Sequence, residues 1–444
     1  MYFIYSVLAA LALLLSSPWW LLRMLTSGKY RAGLSERLGK FPARLQFQAR
    51  RGQGIWIHAV SVGEVLAVSG LIHELREIYP DHRVVVSTTT EAGHLLARSR
   101  YGPENVFYFP IDLGFAIRPY LRRLRPKLVI MAETEFWPNF IHLARKNGAK
   151  IAVVNARISD RSLPGYRRWR GLLVNVLKDI DVFMAQSEQD RERLIAIGAV
   201  PERVEVSGNL KFDVKPRQEA AIVAELEAAI KVQAAQPVLV FGSTVDGEEP
   251  ALLAAFTGVL REFPKSLLVL APRRPERFDE VFTLVRNEGL RCLRRSAWEG
   301  GGVPGNQTTK SEVKVKLAGS VLLLDSIGEL ASIYRLADVA LVGGSFEARG
   351  GHNILEPARF GAPVVVGPHM ENFRDIMSAF AESSAAVQLA SGGAKEIERC
   401  LLDLLRDPDK RKSMGAAALE VLRRRQGATE LTLHALKLLL EGTR

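Results

Sequence analysis

From residue 54 onward, short apolar runs alternate with stretches of helical period. The runs at 55–59, 84–87, 128–132, 151–154, 182–185 and 204–206 are brief and mostly β-branched or aliphatic. Their length predicts strands buried on both faces, and the helix-period segments between them make those strands parallel. A second series follows at 238–241, 266–271, 321–324, 339–342 and 363–366. The pattern predicts an α/β chain of two doubly wound, Rossmann-like domains, residues 26–212 and 237–444, whose strand ends face one cleft. Between them, 213–236 is rich in Ala, Glu and Lys, carries Pro216 and lacks a strand-like run, so it reads as a linker with a helix inside it. The polar, glycine-bearing stretch 296–319 predicts a surface loop or hairpin.

Residues 2–22 break the alternation. No charged side chain precedes Arg23, the run ends in Pro18-Trp19-Trp20, and Lys29 and Arg31 lie just beyond. Roughly 20 apolar residues suffice to cross a bilayer, so 1–25 reads as a membrane anchor, with the basic flank and tryptophans predicting a cytoplasmic body. A helix lying in one leaflet fits nearly as well, given Pro18 and the short length. A cleaved signal peptide would need its basic region before the apolar run.

The chain of 444 residues is 48% hydrophobic and 24% charged, enough apolar residue for two cores. Cys292 and Cys400 are far apart and outside any C-x-x-C context, which excludes a disulfide framework or thiolate metal site. A net charge of +12 points to an anionic partner. Arg118, Arg122 and Arg125 fall at helical spacing, and Arg161, Arg167, Arg168 and Arg170 cluster after a strand; both groups suit lipid phosphates near a membrane. With no basic base-reading helix or stacking platform, nucleic acid is not the expected partner.

Candidate chemistry sits at the carboxyl ends of the predicted strands. Gly350-Gly351-His352-Asn353-Ile354-Leu355-Glu356-Pro357 joins a glycine turn to a helix start, suited to a phosphate on backbone N–H groups and a ribose on Glu356. A plain αβ connection uses the same residue types. Glu64 follows the strand ending at Ala59 and opens a helix, where the dipole favours its carboxylate form. Glu133 follows Ala132, and Lys211 follows the strand ending near Val206. Ser243 and Thr244 are placed for phosphate contacts, or simply to cap a helix. Pro272 and Arg273 follow Ala271, and Ile327, Gly328 and Glu329 follow the strand ending near Asp325. Asp179 with Asp181, and Asp407 with Asp409, match Asp-x-Asp but border a strand start and a polar helix connection, and read as structural.

Together, His58-Ala59-Val60-Ser61-Val62-Gly63-Glu64, Glu133-Thr134-Glu135-Phe136-Trp137-Pro138-Asn139, Gly208-Asn209-Leu210-Lys211-Phe212-Asp213 and the 350–357 block resemble the Kdo transferases of lipopolysaccharide assembly, in the same order over essentially the whole chain. The resemblance implies a GT-B fold and the donor CMP-Kdo, Kdo being 3-deoxy-D-manno-oct-2-ulosonic acid. It also implies a phosphorylated lipid A precursor, lipid IVA, as acceptor, and work at the cytoplasmic face of the inner membrane. It implies that Glu64 is the general base, that Glu133 and Lys211 stabilise the transition state, and that Pro272, Arg273, Ile327, Gly328, Glu329, Asn353, Ile354, Leu355 and Glu356 contact CMP. No cofactor and no metal are expected, since CMP carries a single phosphate. A GT-B-like nucleotide-sugar epimerase and a non-catalytic, membrane-tethered nucleotide-binding scaffold are the competing readings.

Overall fold

The computed structural model describes residues 1–27, 32–45, 54–214, 220–298 and 316–442. The expected basic flank at Lys29 and Arg31, most of the expected 296–319 excursion and Pro216 lie outside them. The chain divides into two units, Met1–Lys215 with Arg425–Arg444, and Pro216–Arg424.

The first unit is built on β1 (Gly54–His58), β2 (Val84–Thr88), β3 (Val106–Tyr108), β4 (Pro126–Ala132), β5 (Lys150–Ala156), β6 (Val182–Ala185) and β7 (Val204–Val206). All pairings are parallel, in the order β3-β2-β1-β4-β5-β6-β7. Every residue of β1 is buried. Side chains of a strand alternate between faces, and both faces here are covered. Trp56 packs on one side with Phe107, Tyr120 and Phe140, while Ile55 and Ile57 pack on the other with Leu71 and Leu436.

The second unit repeats the plan with β8 (Val238–Thr244), β9 (Leu267–Pro272), β10 (Arg291–Arg294), β11 (Ser320–Leu323), β12 (Val339–Val342), β13 (Val364–Val366) and β14 (Ala386–Gln388), ordered β10-β11-β9-β8-β12-β13-β14. Leu239 and Phe241 face Phe256 and Val259; Val238 and Val240 face Ile222 and Tyr334. Two parallel, doubly wound sheets are thus the α/β class that the sequence predicts. In each, the winding reverses between two central strands, β1 and β4 in one unit and β8 and β12 in the other.

Three differences from the sequence reading stand out. The last twenty residues do not belong with the second unit: helix Ala428–Leu440 inserts Leu433, Leu436, Leu439 and Leu440 into the first unit's core. Asp213 fastens it, with its two carboxylate oxygens accepting from Gly427 N at 2.9 Å and Thr429 N at 2.5 Å. Helical periodicity reveals an apolar face but not the sheet that receives it. The helix expected inside the linker, Ala221–Gln233, buries Ile222, Val223, Leu226 and Ile230 in the second unit's core. Arg125 is not on the helix with Arg118 and Arg122; helix Gly114–Leu124 ends before it, and Arg125 takes the left-handed capping conformation at φ 42°.

At the N-terminus, Tyr2–Ser27 is one helix with Pro18 inside it, and Tyr2–Trp20 is long and apolar enough to cross a membrane. Its first turn is tied to the first unit. Tyr2 stacks on His142 at 3.8 Å and donates to the Asn175 carbonyl at 3.1 Å, while Ser6 donates to Asn139 Oδ1 at 3.1 Å. Beyond that turn, Leu14 and Leu15 are exposed.

Truncating a fully buried leucine costs about 2–5 kcal/mol. Leu436→Ala is therefore expected to lower amide protection by about that amount in peptides from 54–214, leaving the strands of the second unit unchanged, as read by hydrogen-exchange mass spectrometry. Deprotection confined to the second unit instead would mean that the C-terminal helix supports the other core.

Candidate functional site

In the first unit, the strands that flank the reversal deliver the two expected carboxylates. After β1 the chain turns through Ser61 into the short helix Val62–Ala67. Ser61 caps it, and Glu64 reaches back in a capping box. Glu64 Oε2 accepts from Val60 N at 2.7 Å and Oε1 from the Ser61 hydroxyl at 2.7 Å. After β4, Glu133 sits at φ 57°, a left-handed conformation that non-glycine residues rarely adopt. Its Oε1 lies 3.3 Å from Lys211 Nζ, and its Oε2 accepts from Arg157 Nε at 3.1 Å. Lys211 is held by a relay of amides. Asn209 Oδ1 accepts from Lys211 N at 3.0 Å, Gln186 Oε1 accepts from Asn209 Nδ2 at 2.9 Å, and the Asn155 carbonyl accepts from Gln186 Nε2 at 2.9 Å.

Burial pushes the Glu64 carboxyl up, and the neighbouring Glu133 charge pushes the same way. Ser61, Val60 and Lys211 oppose them, and the balance falls at about 7. The bonds at the helix N-terminus do favour the carboxylate form, as expected, but desolvation outweighs them. Glu133 goes the other way. Burial would raise its carboxyl, but Lys211 and Arg157 more than offset that and hold it below the ordinary value. Glu135, raised first by burial and then by Glu64, also reaches about 7. Three carboxyls on one strand end and one helix start are thus split by environment into one held ionised and two poised near neutrality, a separation that suits proton transfer.

In the second unit, the ends of β8 and β9 lie side by side, with Thr244 in register with Pro272 and its carbonyl accepting from Arg273 N at 2.9 Å. Ser243 takes φ 58°. The Thr244 hydroxyl is directed inward, donating to buried Glu249 at 2.9 Å, so the side-chain phosphate contact expected of it is spent on the protein. Past β12, Glu248 accepts from the backbone N–H groups of Gly344 and Phe346, each at 3.0 Å, and fixes the turn. Gly350 and Gly351 follow at φ 84° and 79°, the left-handed region that glycine alone enters cheaply. Asn353 then accepts from Leu355 N and donates to Glu356 at 3.3 Å. Burial raises the Glu356 carboxyl against Asn353, Arg359 and Arg273, while burial lowers the Arg273 guanidinium against the pull of Glu356. Burial therefore outweighs the attraction between Arg273 and Glu356 at both groups. Gly242 leaves room nearby: a Cβ there would lie 1.9 Å from the hydroxyl of Tyr334, which senses Glu356. Of the third expected group, Ile327 is exposed, Gly328 takes φ 95°, and the Glu329 carboxylate is closed by Arg295 at 3.0 and 3.1 Å and by the Ser326 hydroxyl.

Residues 32–214 match the family model described as 3-Deoxy-D-manno-octulosonic-acid transferase (kdotransferase). The chain is 34% identical over 417 residues to the 3-deoxy-D-manno-octulosonic acid transferase of Haemophilus influenzae, covering 94% of this chain and 93% of that one. It is also 34% identical over 421 residues to the enzyme of the same description from Bordetella pertussis, covering 92% of each. The chain belongs to the Kdo transferase family. Its fold is that of GT-B proteins. The UDP-GlcNAc 2-epimerase of Neisseria meningitidis, at 12% identity, superposes with a TM-score of 0.56 over 87% of this chain and 99% of its own. That likeness concerns the fold alone.

In this Kdo transferase, the structure brings Glu64, Glu133 and Lys211 into one cluster and Arg273 with Asn353 and Glu356 into another. Sequence reasoning passed over Arg157 and Glu135, although both stand at strand ends as the chosen residues do. It also passed over His352, inside the quoted glycine block. The His352 Nε2 is buried without a hydrogen-bond partner among the described residues, and burial beside Arg273 lowers the ring to about 4. Three of the four Asp-x-Asp carboxylates are engaged internally: Asp181 with Arg145 at 2.8 Å, Asp179 with Tyr2 at 3.2 Å, and Asp407 as acceptor of Lys410 N at 2.8 Å. Among the described residues, no three His, Cys, Asp or Glu side chains are grouped to hold a metal.

A carboxyl raised from 4.5 to about 7 in the folded chain contributes stability that is full below the lower value and is lost as pH rises through the upper one. Glu64→Gln carries no such loss. The variant's stability relative to the parent is expected to climb between pH 4.5 and about 7 and then level off, measured as urea midpoints across that range. A flat difference would mean that Glu64 titrates as an ordinary carboxylate.

Proposed function

We propose that this Kdo transferase moves Kdo from CMP-Kdo to a phosphorylated lipid A precursor, lipid IVA, with inversion at the anomeric carbon and Glu64 as general base. The observation that supports the reading is a carboxyl fixed by Val60 N and Ser61 in the same cluster as Glu133, which is ion-paired with Lys211 and Arg157. A sugar hydroxyl is a weak nucleophile until its proton is taken. Glu64, oriented by Val60 and Ser61, accepts that proton as the hydroxyl oxygen attacks, and the bond from the anomeric carbon to the CMP phosphate breaks. Positive charge grows on the sugar ring and negative charge on the leaving phosphate. Glu133 answers the first and Lys211 the second, and Arg273 is assigned to CMP. In the second unit, Glu356 is assigned to the ribose, and Pro272, Asn353, Ile354 and Leu355 to CMP, together with the backbone of Ile327, Gly328 and Glu329. Ser243 remains assigned to the phosphate; Thr244 serves through its backbone. Neither a cofactor nor a metal enters this chemistry.

The acceptor's lipid chains call for a membrane surface, which we assign to the cytoplasmic face of the inner membrane. The exposed leucines of the N-terminal helix suit it, as do the exposed Trp169 and Leu172, which are flanked by Arg167, Arg168 and Arg170. Because the first turn of the N-terminal helix is pinned to the body, the arrangement along one leaflet is favoured over a full crossing.

With purified enzyme in detergent, CMP-Kdo and lipid IVA, the mass of the lipid is expected to rise by whole Kdo units. The rate is expected to increase with pH through about 7 as Glu64 ionises. Glu64→Gln is expected to lower kcat by about 10²–10⁴-fold while the protein stays folded. Near-parental turnover would remove Glu64 from the role of base, and an unchanged lipid with intact donor and enzyme would sink the assignment of substrates.

A further inference from the structure

The transferred sugar is an acid. In a 2-ulosonic acid the carboxylate is bonded directly to the anomeric carbon, so any site that reacts at that carbon must also accommodate an anion one bond away. Neither the base nor the phosphate contacts described above serve it.

Arg157 stands at the edge of the Glu133 cluster. It follows β5 immediately, its carbonyl receives a hydrogen bond from the Thr134 hydroxyl, and its Nε is fixed on Glu133 at 3.1 Å. Backbone and guanidinium root are both anchored, yet the side chain is 35% exposed, and its two terminal nitrogens make no hydrogen bond to any described residue. The other oxygen of the same Glu133 lies 3.3 Å from Lys211 Nζ, so the open end of Arg157 belongs to the cluster assigned to the reaction. A guanidinium presents paired donors that match the two oxygens of a carboxylate, a geometry that a lysine does not offer. Glu133 then acts as a spacer, one oxygen for Lys211 and one for Arg157, keeping the two cations apart for two different anions.

We propose that Arg157 is the residue that receives the carboxylate of the transferred sugar acid, through its two terminal nitrogens. This rests on the reaction proposed above.

The test compares CMP-Kdo with an analogue whose sugar carboxylate is a carboxamide, taking the ratio of kcat/KM within each protein so that partial loss of folded enzyme cancels. The parent enzyme is expected to prefer the acid by about 10–100-fold, the range of a charge-assisted bond to an ionised group. In Arg157→Gln that preference is expected to fall to nearly one, and Arg157→Lys, which keeps charge but not the fork, to retain part of it. An undiminished preference in Arg157→Gln would overturn the proposal. So would an Arg157→Gln enzyme that stops distinguishing phosphorylated from dephosphorylated acceptor while still rejecting the carboxamide, since the anion would then be the acceptor's. If the parent enzyme transfers no Kdo at all, the fault lies with the reaction proposed above, and a wild-type preference that Arg157→Gln preserves isolates the fault to Arg157.

Discussion

Burying parallel strands on both faces dictates nearly everything else in this molecule. A strand such as β1, buried at all five residues, admits a polar side chain only at its carboxyl end, where His58 is bonded to Ser87. Its backbone groups are satisfied by neighbours, and helices cover both sides. Chemistry is therefore pushed to the carboxyl ends, and most strongly to the point where the winding reverses, since there the connections leave in opposite directions and open a crevice. Glu64 and Glu133 follow the two strands at one reversal; Ser243 and the glycine turn follow the two strands at the other.

Crowding polar groups into so small a perimeter has conformational and electrostatic costs that the structure meets locally. Glu133, Asn155 and Ser243 all take left-handed backbone at or beside a strand end, with φ of 57°, 55° and 58°. Such positions persist only where surrounding bonds over-determine them. The Asn155 side chain, for example, is fixed by accepting from Leu210 N at 3.0 Å. The buried Glu133 charge is tolerable because two cations are bonded to it; removing both would leave an isolated charge, which costs several kcal/mol. With Glu133 held ionised, Glu64 cannot easily ionise as well, so the pair's unequal behaviour follows from one geometry.

The parts of this arrangement that were readable in the sequence are those with a local signature. Eleven apolar runs mark eleven strands. The three that escaped, β3, β10 and β14, are the short edge strands Val106–Tyr108, Arg291–Arg294 and Ala386–Gln388. β10, Arg-Cys-Leu-Arg, and β14 are only partly covered and carry little strand signal, while β3 is buried but only three residues long. The docking of Ala428–Leu440 onto the first unit was invisible because it depends on a pairing between Asp213 and residues more than two hundred positions away. Motif spacing singled out Glu64 and the cap that favours its charged form but not the burial that opposes it, since a cap is local and burial is not. Arg157 shares its position after a strand with the residues that were chosen, and only its bond to Glu133 distinguishes it from any surface arginine.

The two sites solve different recognition problems with different means. The second unit is built on glycine turns at Gly350 and Gly351 and on Asn353 bonded to Glu356, which under the assignments proposed above hold CMP. The first unit relies on charges balanced against one another, suited to a proton that must move. A UDP-GlcNAc 2-epimerase shares the whole fold at 12% identity, so the fold cannot select between epimerisation and transfer. Selection has to come from what stands at the strand ends. The first unit's cluster supplies a carboxyl near neutrality, an anion clamped between two cations, and one guanidinium with an open face. Under the assignments proposed above, that set serves a substrate bearing its own charge beside the reacting carbon.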